Sequence, residues 1–506
     1  SAPAGALEAL ARERVATTVN GNGPLIDSVL VRIRPEHHVW VLAQHQLISD
    51  AWSFRLIHQR MVEHYERDRR GLCGAGVVRP QFHEYLAHER RYRASPQYRA
   101  ARAYWQSRCP SPAVRTTTLD AGVARDATKV CRVSRRLGHT TTAALRRLAA
   151  AQSAAVDVGL FSIFASLVIA HLYRTSGTDD VLLSVPFANR PSQRFKHTVG
   201  SFMNVCPVRV VVERGDTFLT LLRQVEREVW EAARHQGYAM RPVAGSQPYD
   251  VLVNVHKEAV RADTFGDMPL EVAWLPPTHR FGALAVAVQD FSASDNLTLD
   301  LDFNEATFGR ASRADISRRM LRLLDDYLAD PERKLLDDGS VVPVVPVVPV
   351  VPVVPSGQGP KTSVPPRTDV ERDVAAIWCA LLGVPAVGLD DDFFALGGDS
   401  LLAYRMLVRV GTAFGVESAA EWFFASPTVA GVVAVIAAAR VDAAPVTESA
   451  MPELGTARCR LEALPRRAGV NTFRASFAQE RLWFLEQLAF GRAVANVAGA
   501  FHAVGR

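Results

Sequence analysis

The sequence predicts a large α/β unit followed by a small helical unit, and three observations carry that prediction. Up to about residue 338, strand-like runs such as "DDVLLSVPFA", "PYDVLVNVH" and "NLTLDLDFN" alternate with long helical patterns such as "TTAALRRLAAAQ" and "GLFSIFASLVIAHLYRT". A proline-periodic stretch then interrupts all regular structure. Beyond it the chain turns acidic, with nine Asp and Glu against five Arg over residues 366–440, and reads as short helices. At 506 residues and 48% hydrophobic content the chain is too long for one compact unit, so two to four domains are expected.

The interruption is "VVPVVPVVPVVPVVP", from Val341 to Pro355, followed by "SGQGPKTSVPP". Proline at every third position fixes φ and removes ladder donors, so the segment should run as polyproline II, a semi-rigid spacer of roughly 45 Å at ~3.1 Å per residue. The expected division is residues 1–338, a linker at 339–365, a helical domain at 366–440, a second polar linker at 441–468, and a further element from 469 to 506.

Composition narrows the function classes. The net charge of +6 is spread thinly, with no Lys or Arg block to track a phosphate backbone, so no nucleic-acid partner is expected. The six cysteines lack a CxxC pair or a nearby histidine cluster, which argues against a metal site or a disulfide framework. The first residues carry no apolar signal-like stretch, and "VAGVVAVIAAA" at 429–439 is too short to span a bilayer. A cytoplasmic protein with no membrane partner is the expectation.

In the helical domain, Thr368 and Glu371 form a capping-box pattern, after which Val370, Val374, Trp378 and Leu381 fall on one helix face. The next stretch, "VGLDDDFFALGGDSLLAYRMLVRV", reads as a loop ending in Gly397-Gly398-Asp399-Ser400, and Leu402, Met406 and Val410 then recur at four-residue spacing. Ser400 is thereby placed at a helix N-terminus, where the dipole and unpaired N–H groups favour an anion and the two glycines leave the hydroxyl open. The bland alternative is a simple N-cap. "DDFFALGGDSLLA" resembles the peptidyl-carrier domain of non-ribosomal peptide synthetases. That resemblance implies a small four-helix bundle with 4'-phosphopantetheine on Ser400, flanked by Gly397, Gly398, Asp399 and Leu401, and a phosphopantetheinyl transferase as partner. "GDSL" also labels an esterase family, but no Asp-x-x-His pair follows Ser400 to activate it.

"VWVLAQHQLISDAWSFRLIHQ", residues 39–59, reads as strand, loop and helix with His45, Gln46 and Asp50 at the junction. Residues 1–338 resemble the condensation domain of the same synthetases, whose core motif is HHxxxDG. Aligned on Asp50, the first motif histidine is His45, the second is replaced by Gln46, and the glycine by Ala51. "FHEYLAHERR" with "YWQSR", "SVPFANR", "VGSFMNVCPVRV" and "HQGYAMRP" resemble later family stretches in order. The resemblance implies a two-lobed, chloramphenicol-acetyltransferase-like fold, with the lobes dividing near residue 115, and a structural ion pair between Asp50 and Arg190. It also implies a tunnel reached by two carrier arms with the motif at its middle.

Gln46 bears on the chemistry. In the family the second histidine positions or deprotonates the acceptor amine, whereas glutamine offers hydrogen bonds but has no proton to exchange near neutral pH. An impaired condensation domain is therefore expected, with two alternatives open: an active domain in which Gln46 positions the amine, or a non-catalytic module that docks a tailoring enzyme.

Near the end, "SFAQERLWFLEQL" at 476–488 carries a second capping-box pattern, Ser476 with Gln479, and resembles the motif that opens condensation-type domains. A second such domain is expected to begin near 469. That motif does not precede Ser1, so a fragment, split or degenerate first domain is expected. No adenylation domain lies between the carrier and its neighbours. "TSGTDD" at 175–180 lacks the continuation of a phosphate loop, so Ser400 is expected to be loaded in trans or from an upstream carrier or other synthetase module.

Overall fold

The computed structural model describes residues 25–72, 79–108, 128–153, 155–238, 250–257, 264–265, 268–280, 282–290, 296–336, 364–393, 400–415, 427–439, 475–480 and 496–504, with Glu13, Leu396, Phe423 and Leu482. The Val-Pro spacer and both linkers at 339–363 and 441–468 lie outside the described residues, as does 239–249 of the "HQGYAMRP" region. The chain divides into two compact units, Ser1–Val353 together with Ser476–Arg506, and Val354–Ala475.

The first unit holds two sheets. Strands β1 (Ile26–Arg34) and β2 (His37–His45) form an antiparallel hairpin. Along β2 the apolar residues come in both phases, because both faces are covered. Val39 and Val41 pack toward Leu275, while Leu42 packs toward Phe54 of the helix α1 (Ala51–Arg69). Helices α2 (Phe82–Arg93) and α3 (Pro96–Arg108) follow.

The second sheet runs β3 (Val130–Arg136), β10 (Thr298–Asn304), β9 (Leu284–Asp290), β6 (Val251–Lys257), β4 (Asp180–Phe187) and β5 (Asn204–Val211) in spatial order. The contacts of β6 with β4 and β9 are parallel and the remainder antiparallel. In β10, Leu299, Leu301 and Phe303 enter the main core. Asp300 and Asp302 alternate with them and are buried on the other face, neutralised by Arg132, whose guanidinium meets Asp302 at 2.6 and 2.8 Å and Asp300 at 3.3 Å.

Helix α5 (Val156–Ser176) is buried almost all round and packs against β6, with α4 (Gly138–Gln152), α6 (Phe218–Arg234) and α7 (Arg310–Ala329) beside it. It is long and apolar enough to cross a membrane by composition, yet that apolar surface is spent on the core of this unit. "TSGTDD" is the turn that ends it: Gly177, at φ 71°, is the left-handed cap leading to β4.

The first sheet is not confined to the residues before 115. Its order is β1-β2-β11-β8-β7, where β7 is Thr264–Phe265, β8 is Met268–Trp274 and β11 is Asn496–Val504. Two of these strands thus come from the 116–338 range. The stretch expected to begin a separate domain at 469 contributes the strand between β2 and β8.

The second unit is helical. Helix α8 (Asp369–Leu382) begins at the expected capping box: Thr368 Oγ accepts from the Glu371 N–H and the Glu371 carboxylate accepts from the Thr368 N–H at 2.9 Å. Its Val374 and Trp378 meet Met406, Leu407 and Val410 of α9 (Ser400–Phe414) and Val429, Val432 and Ile436 of α10 (Val429–Ala439). Trp378, Phe393 and Phe423 pack edge to face at the centre, with centroids 4.7–6.0 Å apart.

Candidate functional site

The junction of β2 and α1 is organised by Asp50. Its side chain caps α1, accepting the Ser53 N–H at 2.7 Å, and also accepts the Phe202 N–H at 3.1 Å. Arg190 donates to both Asp50 oxygens at 2.8 and 3.1 Å, to Ser53 Oγ at 2.9 Å, and to the Phe195 and Thr198 carbonyls at 2.8 and 2.6 Å. Both side chains are almost fully buried, 2% exposed for Arg190 and 4% for Asp50. Burial pulls the guanidinium below its ordinary pKa and Asp50 opposes that pull, so the pair is a desolvated ion pair held by surplus hydrogen bonds.

Ser53 completes the junction. Its hydroxyl donates to the Gly200 carbonyl at 2.8 Å and accepts the Gly200 N–H at 3.0 Å. A Cβ on Gly200 would lie 2.0 Å from the Phe82 ring, so glycine is needed there for the loop to reach Ser53. Asn204 donates to the carbonyls of Gln236 and Tyr238, both at 2.8 Å, tying β5 to the residues after α6.

The two motif residues differ in how they are held. His45 is buried, and its Nδ1 accepts the Leu47 N–H at 3.1 Å, so that nitrogen carries no proton and the ring is used to shape the turn. Gln46 is half-buried in that turn and, among the described residues, its side chain makes no hydrogen bond. Two residues earlier, Gln44 is buried with both ends of its carboxamide unpartnered among the described residues.

A cavity of about 220 Å³ lies beside Arg190, lined by Tyr85, His88, Glu89, Asn189 and Gln236 among others. Burial pushes the Glu89 carboxyl up to about 7, partly opposed by the Phe477 N–H and by Arg93. Neither Ser53, Gln44 nor Glu89 stands out in sequence as a site residue. Ser53 follows the motif directly, which is a signal of a kind, whereas burial alone distinguishes Gln44 and Glu89.

In the helical unit, Ser400 is the first residue of α9, whose buried Met406, Leu407 and Val410 anchor that helix in the bundle. Gly397, Gly398 and Asp399 lie outside the described residues, and of Ser400 and Leu401 only the helical backbone is described. A residue of serine type at the opening backbone position of an anchored helix fits a phosphodiester-linked group.

Comparison with known proteins decides the family. The condensation-domain profile matches residues 3–341, and the profile described as a phosphopantetheine attachment site matches 372–436. The chain belongs to the condensation-domain family. Its helical unit is a carrier domain of the kind that bears 4'-phosphopantetheine.

The chain is similar to surfactin synthase subunit 1 of Bacillus subtilis (strain 168), with 25% identity over 336 residues that cover 62% of this chain and 9% of that protein. Phosphinothricin tripeptide synthetase of Streptomyces viridochromogenes shares 29% identity over 220 residues, covering 42% of this chain and 20% of that one. The chain thus spans a fifth or less of the length of these relatives. Among solved structures, the first condensation domain of the calcium-dependent antibiotic synthetase, bound to a substrate analogue, superposes with a TM-score of 0.59 at 24% identity. That match covers 66% of this chain and 74% of the other. The starter condensation domain of rhizomide synthetase gives a TM-score of 0.55 at 22% identity, covering 66% and 77%. These likenesses establish the two-lobed chloramphenicol-acetyltransferase-like fold.

Proposed function

We propose that this chain is a non-ribosomal peptide synthetase segment that carries acyl groups on Ser400, and that its condensation domain is a weak catalyst of amide formation because Gln46 stands at the family's second histidine. The phosphopantetheine group supplies a flexible thiol that holds an aminoacyl or peptidyl group as a thioester. Ser400 would be its attachment residue, with Gly397, Gly398, Asp399 and Leu401 around it.

The observation that carries the catalytic half is the contrast at the β2–α1 turn. Asp50, Arg190, Ser53 and His45 are engaged in holding the loop, which supports structural roles for all four. The Gln46 side chain, by contrast, has no hydrogen bond among the described residues. A general base there would be worth on the order of 10² to 10⁴ in rate, and a carboxamide cannot supply it. A second reading, in which Gln46 positions the amine of a working domain, draws support from the same geometry, because an unengaged carboxamide is available to a substrate.

The carriage half needs a phosphopantetheinyl transferase, and the loading partner would be an adenylation domain acting in trans or an upstream carrier of other synthetase modules. A tailoring enzyme docked on the condensation domain is a further partner of this reading. A cytoplasmic setting suits an arm that must keep a free thiol, and among the described residues Cys131 and Cys379 form no disulfide. Incubation with coenzyme A and a phosphopantetheinyl transferase tests carriage: intact-protein mass should rise by one arm on wild type and stay unchanged on Ser400→Ala. A rise on the alanine variant would contradict the assignment.

A further inference from the structure

The cavity beside Arg190 is walled by three elements. Helix α2 contributes Tyr85, His88, Glu89 and Tyr92, the turn after β4 contributes Arg190, and the end of α6 with the residues after it closes the third side. Every lining residue falls within 85–237, and Gln46 is not among them. At about 220 Å³ the cavity lies below the ~300 Å³ at which pockets for drug-sized ligands begin, so the occupant it suits is a small free molecule.

Most of its polar groups are already paired. Gln236 accepts the Asn189 N–H at 2.9 Å and donates to the Ala233 carbonyl at 2.9 Å, while Arg234 pairs with Glu231 at 2.8 Å. Two groups are left short. The Glu89 carboxylate has only long hydrogen bonds, from the Tyr85 hydroxyl at 3.4 Å and the Phe477 N–H at 3.3 and 3.4 Å, and among the described residues it forms no ion pair. The Phe477 contact is the one made from outside 85–237, and without it the carboxylate would be shorter still of partners. Burial pushes Glu89 up to about 7, which reports the cost of an ion without a neutralising partner. The Arg190 Nε–H is buried and has no hydrogen-bond partner among the described residues, although both terminal nitrogens of that guanidinium are engaged. Around these two groups stand neutral rings, since burial raises the Tyr85 and Tyr92 phenols and lowers the His88 imidazole.

A desolvated carboxylate is satisfied by a cation that also donates hydrogen bonds, and aromatic rings beside it favour a cation further. A buried N–H without a partner needs an acceptor. We propose that this cavity is a binding site for a small organic ammonium ion that carries a carbonyl or hydroxyl oxygen close to its nitrogen, the class to which amino-acid amides and amino alcohols belong. Glu89 accepts from the ammonium, and the Arg190 Nε–H donates to the oxygen. A bare metal cation fits less well. Calcium takes about six to eight oxygen ligands, and Glu89 is the single carboxylate of the lining.

The probe is glycinamide, titrated into the full chain near neutral pH and followed by ligand-observed NMR. Wild type should show one saturable site with a Kd of about 1 mM or tighter. Acetamide, which has the oxygen but no ammonium, should neither bind at those concentrations nor displace glycinamide. Glu89→Gln keeps the shape of the side chain but removes its charge, and should weaken binding by about 10-fold or more, because hydrogen bonds to an ionised acceptor are the stronger kind. Ala233→Leu is the second variant. It narrows the cavity from the α6 side without touching either polar group and should also weaken binding by about 10-fold or more, so the site is tested independently of how Glu89→Gln folds. No saturation of wild type, unchanged affinity in either variant, or acetamide binding as well as glycinamide would each overturn the proposal.

Discussion

The six-stranded sheet draws every strand from one stretch, Val130–Asn304, and is backed by a single cluster of buried side chains. The five-stranded sheet takes strands from 26–45, 264–274 and 496–504, and its buried apolar residues fall into several small clusters. The difference bears on order of failure. A sheet closed by contacts of very long sequence separation carries a high loop-closure cost and little core to offset it, so it should open before its neighbour does. The motif turn hangs from the weaker sheet, whereas Arg190, which fixes Asp50, follows β4 of the stronger one.

Hollowing each core in turn should have the largest effect. Phe303→Ala in the six-stranded sheet should cost about 3–5 kcal/mol and lower the urea midpoint of the whole unit. Phe501→Ala should instead free the amides of β2 and β8 to exchange while those of β6, β9 and β10 stay protected. Loss of protection in both sheets together would show one cooperative unit.

Of similar size but different reach is the ion pair that joins the two regions. Arg190→Ala leaves Asp50 buried with its principal partner gone, a loss of roughly 3–5 kcal/mol in urea unfolding. Arg190→Lys should recover little of it, since one ammonium cannot reproduce the fork that meets Asp50, Ser53 and two carbonyls. Full recovery by lysine would contradict the geometry.

Acidity separates the sheets more finely. Burial lowers His58, against Phe501, and His171, in helix α5, to about 4 each. Both are neutral when folded and take up a proton on unfolding below 6.5, so stability is full above pH 6.5 and falls as pH drops toward 4, by on the order of 3 kcal/mol each. His58→Phe should spare the first sheet this acid loss and leave that of the second unchanged, as read by exchange at pH 4.5 and 7. Glu89, raised to about 7, acts the other way. Folding holds its proton between 4.5 and 7, so its contribution falls as pH rises through that window, and Glu89→Gln should flatten the fall.

The smallest effect belongs to the carrier. Thr368→Ala removes the cap of α8 and should cost about 1 kcal/mol in the carrier's own thermal transition, leaving that of the condensation domain in place.

Much of this was legible in the sequence wherever the signal was local. The capping box at Thr368, the alternation in "NLTLDLDFN", the apolar run of α5 and the helix starting at Ser400 each depend on neighbours within a few residues. The Asp50–Arg190 contact came through resemblance, since nothing in spacing alone pairs residues 140 apart. The place of β11 was not legible. "NVAGAFHAV" shows no more than a short strand, and its place between β2 and β8 depends on the fit of Phe501 against His58, Phe54 and Trp40, some 440 to 460 residues earlier. Glu89 was hidden for a related reason: on its own helix it is one more charged residue, and burial beside Tyr85 and Phe477 sets its pKa.

Carriage on Ser400 together with weak chemistry at Gln46 is the behaviour to test. Its most direct test charges the Ser400 arm with an amino acid, presents an acyl-loaded donor carrier, and follows amide product by intact-protein mass for wild type and Gln46→His. Product should form at least on the order of 10²-fold faster with histidine, both proteins loading equally at Ser400. Equal rates of product formation in the two would contradict it and leave Gln46 as a working residue of an active condensation domain.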